Sequence, residues 1–517
     1  MKIKKITPKK IINVLKKEWY VLALIVFVIV TRYIFLHDAT IPFGFDHGKD
    51  SLAVFHMWTT RSLKFIGPWT SIPGLYFGPA WYYLLLPGLL LFNWSPVGSV
   101  WMMVLLICLQ IYLAKKYFGK LSAFILATGQ MWLTLSESAW NPFPMTLISF
   151  LILILLKEIK KNKKASNKNI FFLSFCSAMG FHFSAAFAIF YPPIIVITML
   201  VNKIKFRKKM IKPALIGWII PFTTQILFEL KNGFSQTKGV ISYFIKGESH
   251  ALTMDKLENI IKVFFGDVKL AISANIWLPN SELASNLNLL IFYIVLAILA
   301  ITLLKKKKTT FNYLELAIWT VIPLIGFMFL HFNFWYMLAM YPIWLILIAD
   351  SIKNMPKVFQ GMFVAVMLLT MIGKIYFYTS LDKQTLVKSR AFLPPKVKAI
   401  NLVKEKANGR AYVSYHYVPD VYDFSYQYIY FWQAKKGDML PVDFSYKPNS
   451  LNYVVEKAEL LQRFDAQVDK REVEVKYYIV EEPFQEKLLE EWWGSQSYNQ
   501  IINEYEITPE ITVYEAI

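Results

Sequence analysis

The stretch IPFGFDHGKDSLAVFHMWTTRSLKFIGPW, residues 41–69, places two carboxylates, Asp46 and Asp50, four residues apart and sets Lys49, Arg61 and Lys64 among them. A carboxylate can take a proton from a hydroxyl and cations can hold a departing phosphate, so the set suits a displacement reaction with a phosphate leaving group. If a helix begins near Gly48, both carboxylates sit at or near its N-terminus, where free N–H groups and the helix dipole also favour a phosphate. The same spacing describes an ordinary helix cap, and Arg and Lys at a membrane surface often only snorkel. The surroundings of this stretch must decide between the readings.

Those surroundings are membrane helices. Of the 517 residues, 56% are hydrophobic, 17% aromatic and 18% charged, against roughly 25% charged in a soluble domain. Apolar runs recur from Val21 to Tyr376, about as long as an α-helix needs to cross the hydrocarbon. They lack the period-two alternation of barrel strands. The expected spans are 21–36, 97–114, 121–136, 143–157, 169–184, 186–201, 213–229, 287–304, 312–330, 336–350 and 357–377. The basic segment 1–20 has no small-residue cleavage site after it and is expected to remain as a cytoplasmic tail.

Charge orients these spans. Six short segments, 1–20, 114–120, 157–169, 202–212, 305–308 and 350–357, together carry +25 of a net +21, so all else carries −4. This is a positive-inside pattern, and it leaves no basic groove for nucleic acid. Eleven spans keep every basic segment on one side, with the N-terminus cytoplasmic and the C-terminus outside. The apolar stretch Pro79–Trp94 would reverse all later loops if it crossed; interrupted by Pro87 and Gly88, it is expected to be an interfacial or re-entrant helix.

The fold class is therefore an α-helical polytopic membrane protein of about eleven transmembrane helices, residues 21–377, with external loops 37–96 and 230–286 and an extracytoplasmic C-terminal domain, 378–517. The segments PPKVKAINLVKEKANG and EEPFQEKLLEEWW are helix-like and AYVSYH, KYYIV and ITVYEA strand-like, so that domain is expected to be α/β. Cys108 and Cys176 fall in apolar spans and read as buried small hydrophobes, supporting neither a disulfide framework nor a zinc site. In the first external loop, GLYFGPAWYYLLLPGLL brings Tyr76, Tyr82 and Tyr83 to the membrane surface beside the acidic stretch; an aromatic belt is the plainer reading of such residues. Trp140, Asn141, His182, His331 and Tyr336 lie near the outer ends of spans and could line an external cavity. The second external loop is expected to serve as a lid or to contact lipid.

In order and sidedness, FDHGKD after the first span, YFGPAWYYLLL, AKKYFGKLSAFILA and SAWNPFP resemble the GT-C superfamily of lipid-linked glycosyltransferases. The nearest likeness is to the protein O-mannosyltransferase and lipid A aminoarabinose transferase branch, over about residues 15–200. The resemblance implies sugar transfer from a polyprenyl phosphate on the external face, usually with inversion, and places the catalytic carboxylate on Asp46. In those relatives the Asp is commonly followed by Glu, whereas His47 stands here, which leaves Asp46 and Asp50 both open as the base. Relatives also tend to carry an Arg in the turn that here reads SESAWNPFP and offers only Glu137, so the phosphate contact falls to Arg61, Lys64 or Lys49.

The expected activity is accordingly hexosyl or pentosyl transfer from a polyprenyl-phosphate sugar to a lipid, protein or cell-wall glycan acceptor, in the plasma membrane. No cofactor is required; a divalent metal is compatible, with Asp46, Asp50 and His47 as a weak site. One alternative is a transporter or flippase of a lipid-linked glycan, which would need ionisable groups near the midplane and broken helices from internal repeats. Glu315 and Asp350 sit near span ends instead, and no repeat is visible. Another is a non-catalytic relative that binds glycan through the C-terminal domain.

Overall fold

The computed structural model describes residues 8–246, 253–276, 281–380, 388–420, 422–450 and 453–517. Each of the eleven expected spans overlaps at least one helix, though not all are continuous. In chain order the helices are α1 (Pro8–Leu36), α2 (Phe45–Thr59), α3 (Ala80–Leu91), α4 (Val97–Tyr117), α5 (Lys120–Thr128), α6 (Gln130–Thr134), α7 (Met145–Asn162), α8 (Asn167–Gly180) and α9 (Ala185–Ala188). They continue with α10 (Tyr191–Val201), α11 (Ile211–Lys231), α12 (Ser235–Lys246), α13 (Met254–Ile272), α14 (Ser281–Leu304), α15 (Tyr313–Phe329), α16 (Tyr341–Lys353) and α17 (Lys357–Ser380). Six stretches are long and apolar enough to cross a membrane: Glu18–Leu36, Val97–Tyr117, Lys208–Lys231, Ser281–Leu304, Phe334–Lys353 and Lys357–Tyr376. The fold is that of a multi-pass membrane protein. The expected tail is in part the first turns of α1, which starts at Pro8; residues 1–7 lie outside the described residues.

Two local departures from regular spans have clear causes. The span expected over 121–136 is broken at Gly129, whose extended backbone (φ −74°, ψ 144°) separates α5 from α6. The stretch Pro79–Trp94 forms the 12-residue α3, about 18 Å long and too short to cross. It folds back on α4 where Gly88 meets Gly98: a Cβ on Gly88 would lie 2.2 Å from the Gly98 carbonyl oxygen. Only two glycines let the backbones approach this closely.

The basic connections gather at one end of the bundle. There Lys160 pairs with Glu315 (2.6 Å), whose carboxylate also accepts from the Asn312 amide (2.7 Å) and from Asn202 Nδ2 (2.9 Å). Asp350 accepts from the Thr310 amide at 2.6 Å, and Lys115 pairs with Glu18. Glu315 and Asp350 are thus cap and connection groups, fixing helix starts rather than lining a pathway.

The C-terminal domain is α/β, as expected. Strands β1 (Tyr412–Tyr417), β2 (Asp443–Ser445), β3 (Val475–Glu481), β4 (Ile501–Thr508) and β5 (Ile511–Ala516) form one sheet in the order β2-β1-β3-β5-β4. The β1 pairings are parallel and those of β5 antiparallel, with β1 registered Val413 to Lys476. Helix Leu393–Ala407 covers the sheet. A second helix, Phe424–Ala434, is buried along its whole length and docks on α2.

Candidate functional site

The helix that carries the acidic stretch begins three residues before the expected point. α2 starts at Phe45 after Gly44, so Asp46 lies in its first turn and Asp50 one turn further in. Docking fixes its position. A Cβ on Gly48 would fall 2.4 Å from the Ser425 amide nitrogen and 2.5 Å from the Phe424 carbonyl carbon, so only glycine admits the helix Phe424–Ala434 here. Phe45 packs edge-on to Phe424 (5.2 Å between centroids), and His56 Nε2 meets Glu459 at 2.7 Å. Gly48→Leu is expected to cost about 3 kcal/mol or more, read as a fall in the thermal midpoint of the purified protein.

The two carboxylates have different surroundings. The Asp46 side chain is 39% exposed; its Oδ1 pairs with Lys49 Nζ at 2.6 Å and its Oδ2 accepts from Trp140 Nε1 at 3.2 Å. Burial opposes its ionisation, but the charge and hydrogen bond of Lys49, the nearby His47 and the Trp140 bond outweigh it and hold Asp46 below the usual carboxylate range. Asp50 is only 3% exposed, its Oδ2 accepts from Trp81 Nε1 at 2.7 Å, and its Oδ1 has no hydrogen-bond partner. Burial, against the pull of Lys49, pushes Asp50 up to about 7.

A carboxyl whose pKa rises on folding favours the folded state while both states are protonated. That advantage is lost as pH climbs from the unfolded value through the folded one. Asp50→Asn retains an acceptor for Trp81 and removes the titration. The thermal midpoint of the variant is therefore expected to gain on the wild type as pH rises from about 4 to about 7, measured side by side in one detergent.

His47 lies behind Asp46. Its Nδ1 accepts from the Gly44 amide (3.4 Å) and its Nε2 donates to Ser138 Oγ (2.7 Å), the arrangement of a neutral imidazole. Burial, partly countered by Asp46, pushes its pKa down to about 4. It ties the start of α2 to the turn that presents Trp140. Asp46, His47 and Asp50 therefore face different partners and do not converge on one point. Among the described residues no group of three or more His, Cys, Asp or Glu side chains is placed to hold a metal ion.

Asp46 and Lys49 open into a cavity of about 640 Å³ at the end of the bundle opposite the basic connections. Of the expected residues, Tyr76, Trp140, Asn141, His331 and Tyr336 also line it. Lys49 lies 5.0 Å from the ring centroids of both Phe45 and Trp69, and it is the one cation among the described lining residues. Asp46 is likewise the one carboxylate. Trp140 packs 4.7 Å from Trp335, which makes an aromatic wall. Tyr76 is held from below: its amide donates to Gln236 Oε1 (2.9 Å) and its carbonyl accepts from Gln225 Nε2 (3.3 Å).

The other expected residues lie outside the cavity lining. Arg61 sits over Trp58 at 5.0 Å, and Lys64 pairs with Glu456 of the C-terminal domain at 3.2 Å. The Tyr83 hydroxyl donates to the Lys64 carbonyl (3.1 Å), and Tyr82 is buried within α3 packing. His182 is buried, its Nδ1 accepting from the Ala80 amide (3.2 Å) and its Nε2 bonded to the Pro221 carbonyl (3.0 Å). The cavity also uses residues that had no local signal, chiefly Trp69, Gln225, Trp335 and Tyr243. Val240 and Tyr243 come from α12, so the second external loop does reach the site.

No family model and no curated protein matches the chain. Solved structures do share its architecture. The chain is similar to ArnT from Cupriavidus metallidurans bound to undecaprenyl phosphate, with a TM-score of 0.61 at 10% identity over 96% of this chain and 98% of that one. It is similar to the same protein in the apo state, with a TM-score of 0.59 at 10% identity over 97% and 98%. The chain thus shares the fold of these structures over nearly its whole length.

Proposed function

We propose that the chain is a membrane glycosyltransferase that moves a hexosyl or pentosyl group from a polyprenyl-phosphate donor to an acceptor hydroxyl. The single observation that carries this reading is Asp46: an ionised carboxylate with an adjacent cation, facing a large aromatic-walled cavity. The likeness to a fold that binds undecaprenyl phosphate supports it. The acceptor oxygen attacks the anomeric carbon as Asp46 takes its proton. The bond from that carbon to the phosphate oxygen breaks, and the electron pair leaves with the polyprenyl phosphate, whose charge Lys49 stabilises.

A retaining double displacement needs a carboxylate nucleophile besides the base. Asp50 is turned away to Trp81, which favours a single inverting displacement. A monophosphate leaving group needs one or two cations and no bound cofactor. The cavity lies opposite the basic connections, so the reaction belongs on the outer face of the plasma membrane, with the N-terminus in the cytoplasm. A lipid, protein or cell-wall glycan is the acceptor class. Glu315 and Asp350, bound into caps at the basic end, favour transfer over transport.

The test is a panel of polyprenyl-phosphate sugars offered to the protein in liposomes. Sugar loss from at least one donor is expected. Movement of intact donor across the bilayer without any loss would support the transport reading instead.

A further inference from the structure

Helix α11, which lines the outer cavity, bounds a second one as well. Between α8, α10 and α11 an apolar crevice of about 480 Å³ runs toward the basic end of the bundle, with Leu173, Ile195, Met199 and Trp218 in its lining. Along α11 the lining passes from Ala214 and Trp218 in this crevice to Phe222 and Gln225 in the outer cavity. Trp218 and Phe222 stack at 5.6 Å with their planes 4° apart. The two cavities follow one another along α11.

The crevice has a charged mouth. Arg207 and Lys208, both exposed, line the crevice, and Phe206 beside them is 50% exposed. Polar groups inside are few: Ser174 and Ser177, and the Ser177 hydroxyl already donates to the Leu173 carbonyl. An apolar shaft closed by a guanidinium and an ammonium complements a phosphate attached to a hydrocarbon chain.

We infer that this crevice binds an anionic phospholipid of the leaflet at the basic end. Its phosphate lies between Arg207 and Lys208 and one acyl chain runs along Leu173, Ile195 and Trp218. Charge complementarity at the mouth selects this occupant over the donor's prenyl tail, which has no anionic group to place there. The site does not depend on the transferase reading.

Native mass spectrometry of the full chain tests it, with phosphatidylglycerol and phosphatidylethanolamine of identical acyl chains supplied together. The wild type is expected to retain phosphatidylglycerol over phosphatidylethanolamine by roughly fivefold or more. Arg207→Gln with Lys208→Gln should erase the preference while both lipids still bind. Lys305→Gln with Lys307→Gln, which removes equal charge from a loop outside the crevice lining, should leave it intact. Ala214→Trp, which fills the crevice, should lose both lipids. A preference that survives the Arg207 and Lys208 changes, or that falls equally with Lys305 and Lys307, overturns the site. So does a wild type that does not discriminate. Loss of both lipids in Ala214→Trp with no effect of the charge pair would mean a chain groove without a headgroup site, and would overturn it too.

Discussion

Asp46→Asn is expected to lower turnover by about 10²–10⁴-fold, the range for loss of a positioned general base, while donor binding changes by no more than a few fold. The amide is nearly isosteric, and its one oxygen can keep the bond from either Lys49 or Trp140, which the carboxylate receives on separate oxygens. What disappears is the ability to take a proton. Asp50→Asn, by contrast, should keep most of the activity, because that carboxyl is buried against Trp81 and is absent from the cavity lining. Rates of sugar transfer for the two variants in the same liposomes check the assignment. Equal loss in both would return the base to the ambiguity of the sequence, and full activity in Asp46→Asn would remove it from the mechanism.

Lys49→Met should lower kcat/KM by about 10²–10³-fold, since the cavity then lacks the cation that stabilises the departing phosphate. A second effect separates this role from simple packing. Burial already works against the Asp46 charge, and Lys49 is the main group opposing it. Without the ammonium, the Asp46 pKa rises. A base must be ionised to act, so the acidic limb of the pH–rate profile is expected to move to higher pH. A fall in rate with an unmoved acidic limb would mean that Lys49 and Asp46 are not coupled in the working enzyme. The methionine keeps the aliphatic contact with Phe45 and Trp69, which makes gross misfolding a poor explanation of either change.

Much of the scaffold was legible because a membrane imposes simple rules. Hydropathy marks apolar spans, so each of the eleven expected spans overlaps a helix, and Pro79–Trp94 proves to be a short helix folded back. What escaped was local structure without a local signal. α2 was expected to start near Gly48 rather than Phe45, because no polar cap residue announces the turn at Gly44. The helix Phe424–Ala434 is buried on every face and so lacks the polar stripe that marks a surface helix. In the loop 230–286, α12 and α13 mix apolar and charged residues on runs too polar to read as spans.

The site divides in the same way. Asp46 and Lys49 belong together because i and i+3 side chains meet on a helix, so their pairing was within reach of the sequence. Lys64 was an equally good cation by type and position. Its diversion depends on Glu456, 392 residues away, and nothing near Lys64 foretells that contact. Trp69 and Trp335 come from opposite ends of the membrane domain and become neighbours of the site only through tertiary packing. The departure at His47 acquires a physical meaning as well: this neutral imidazole pins α2 to the turn at Ser138.

The central claim is one direct displacement at the anomeric carbon, with Asp46 as the base and no second carboxylate to form a covalent intermediate. The anomeric configuration of the first-formed product, read by NMR from a donor of defined configuration, tests it most directly. Inversion is the predicted result. Retention would contradict the account, because a single back-side displacement at the anomeric carbon inverts its configuration.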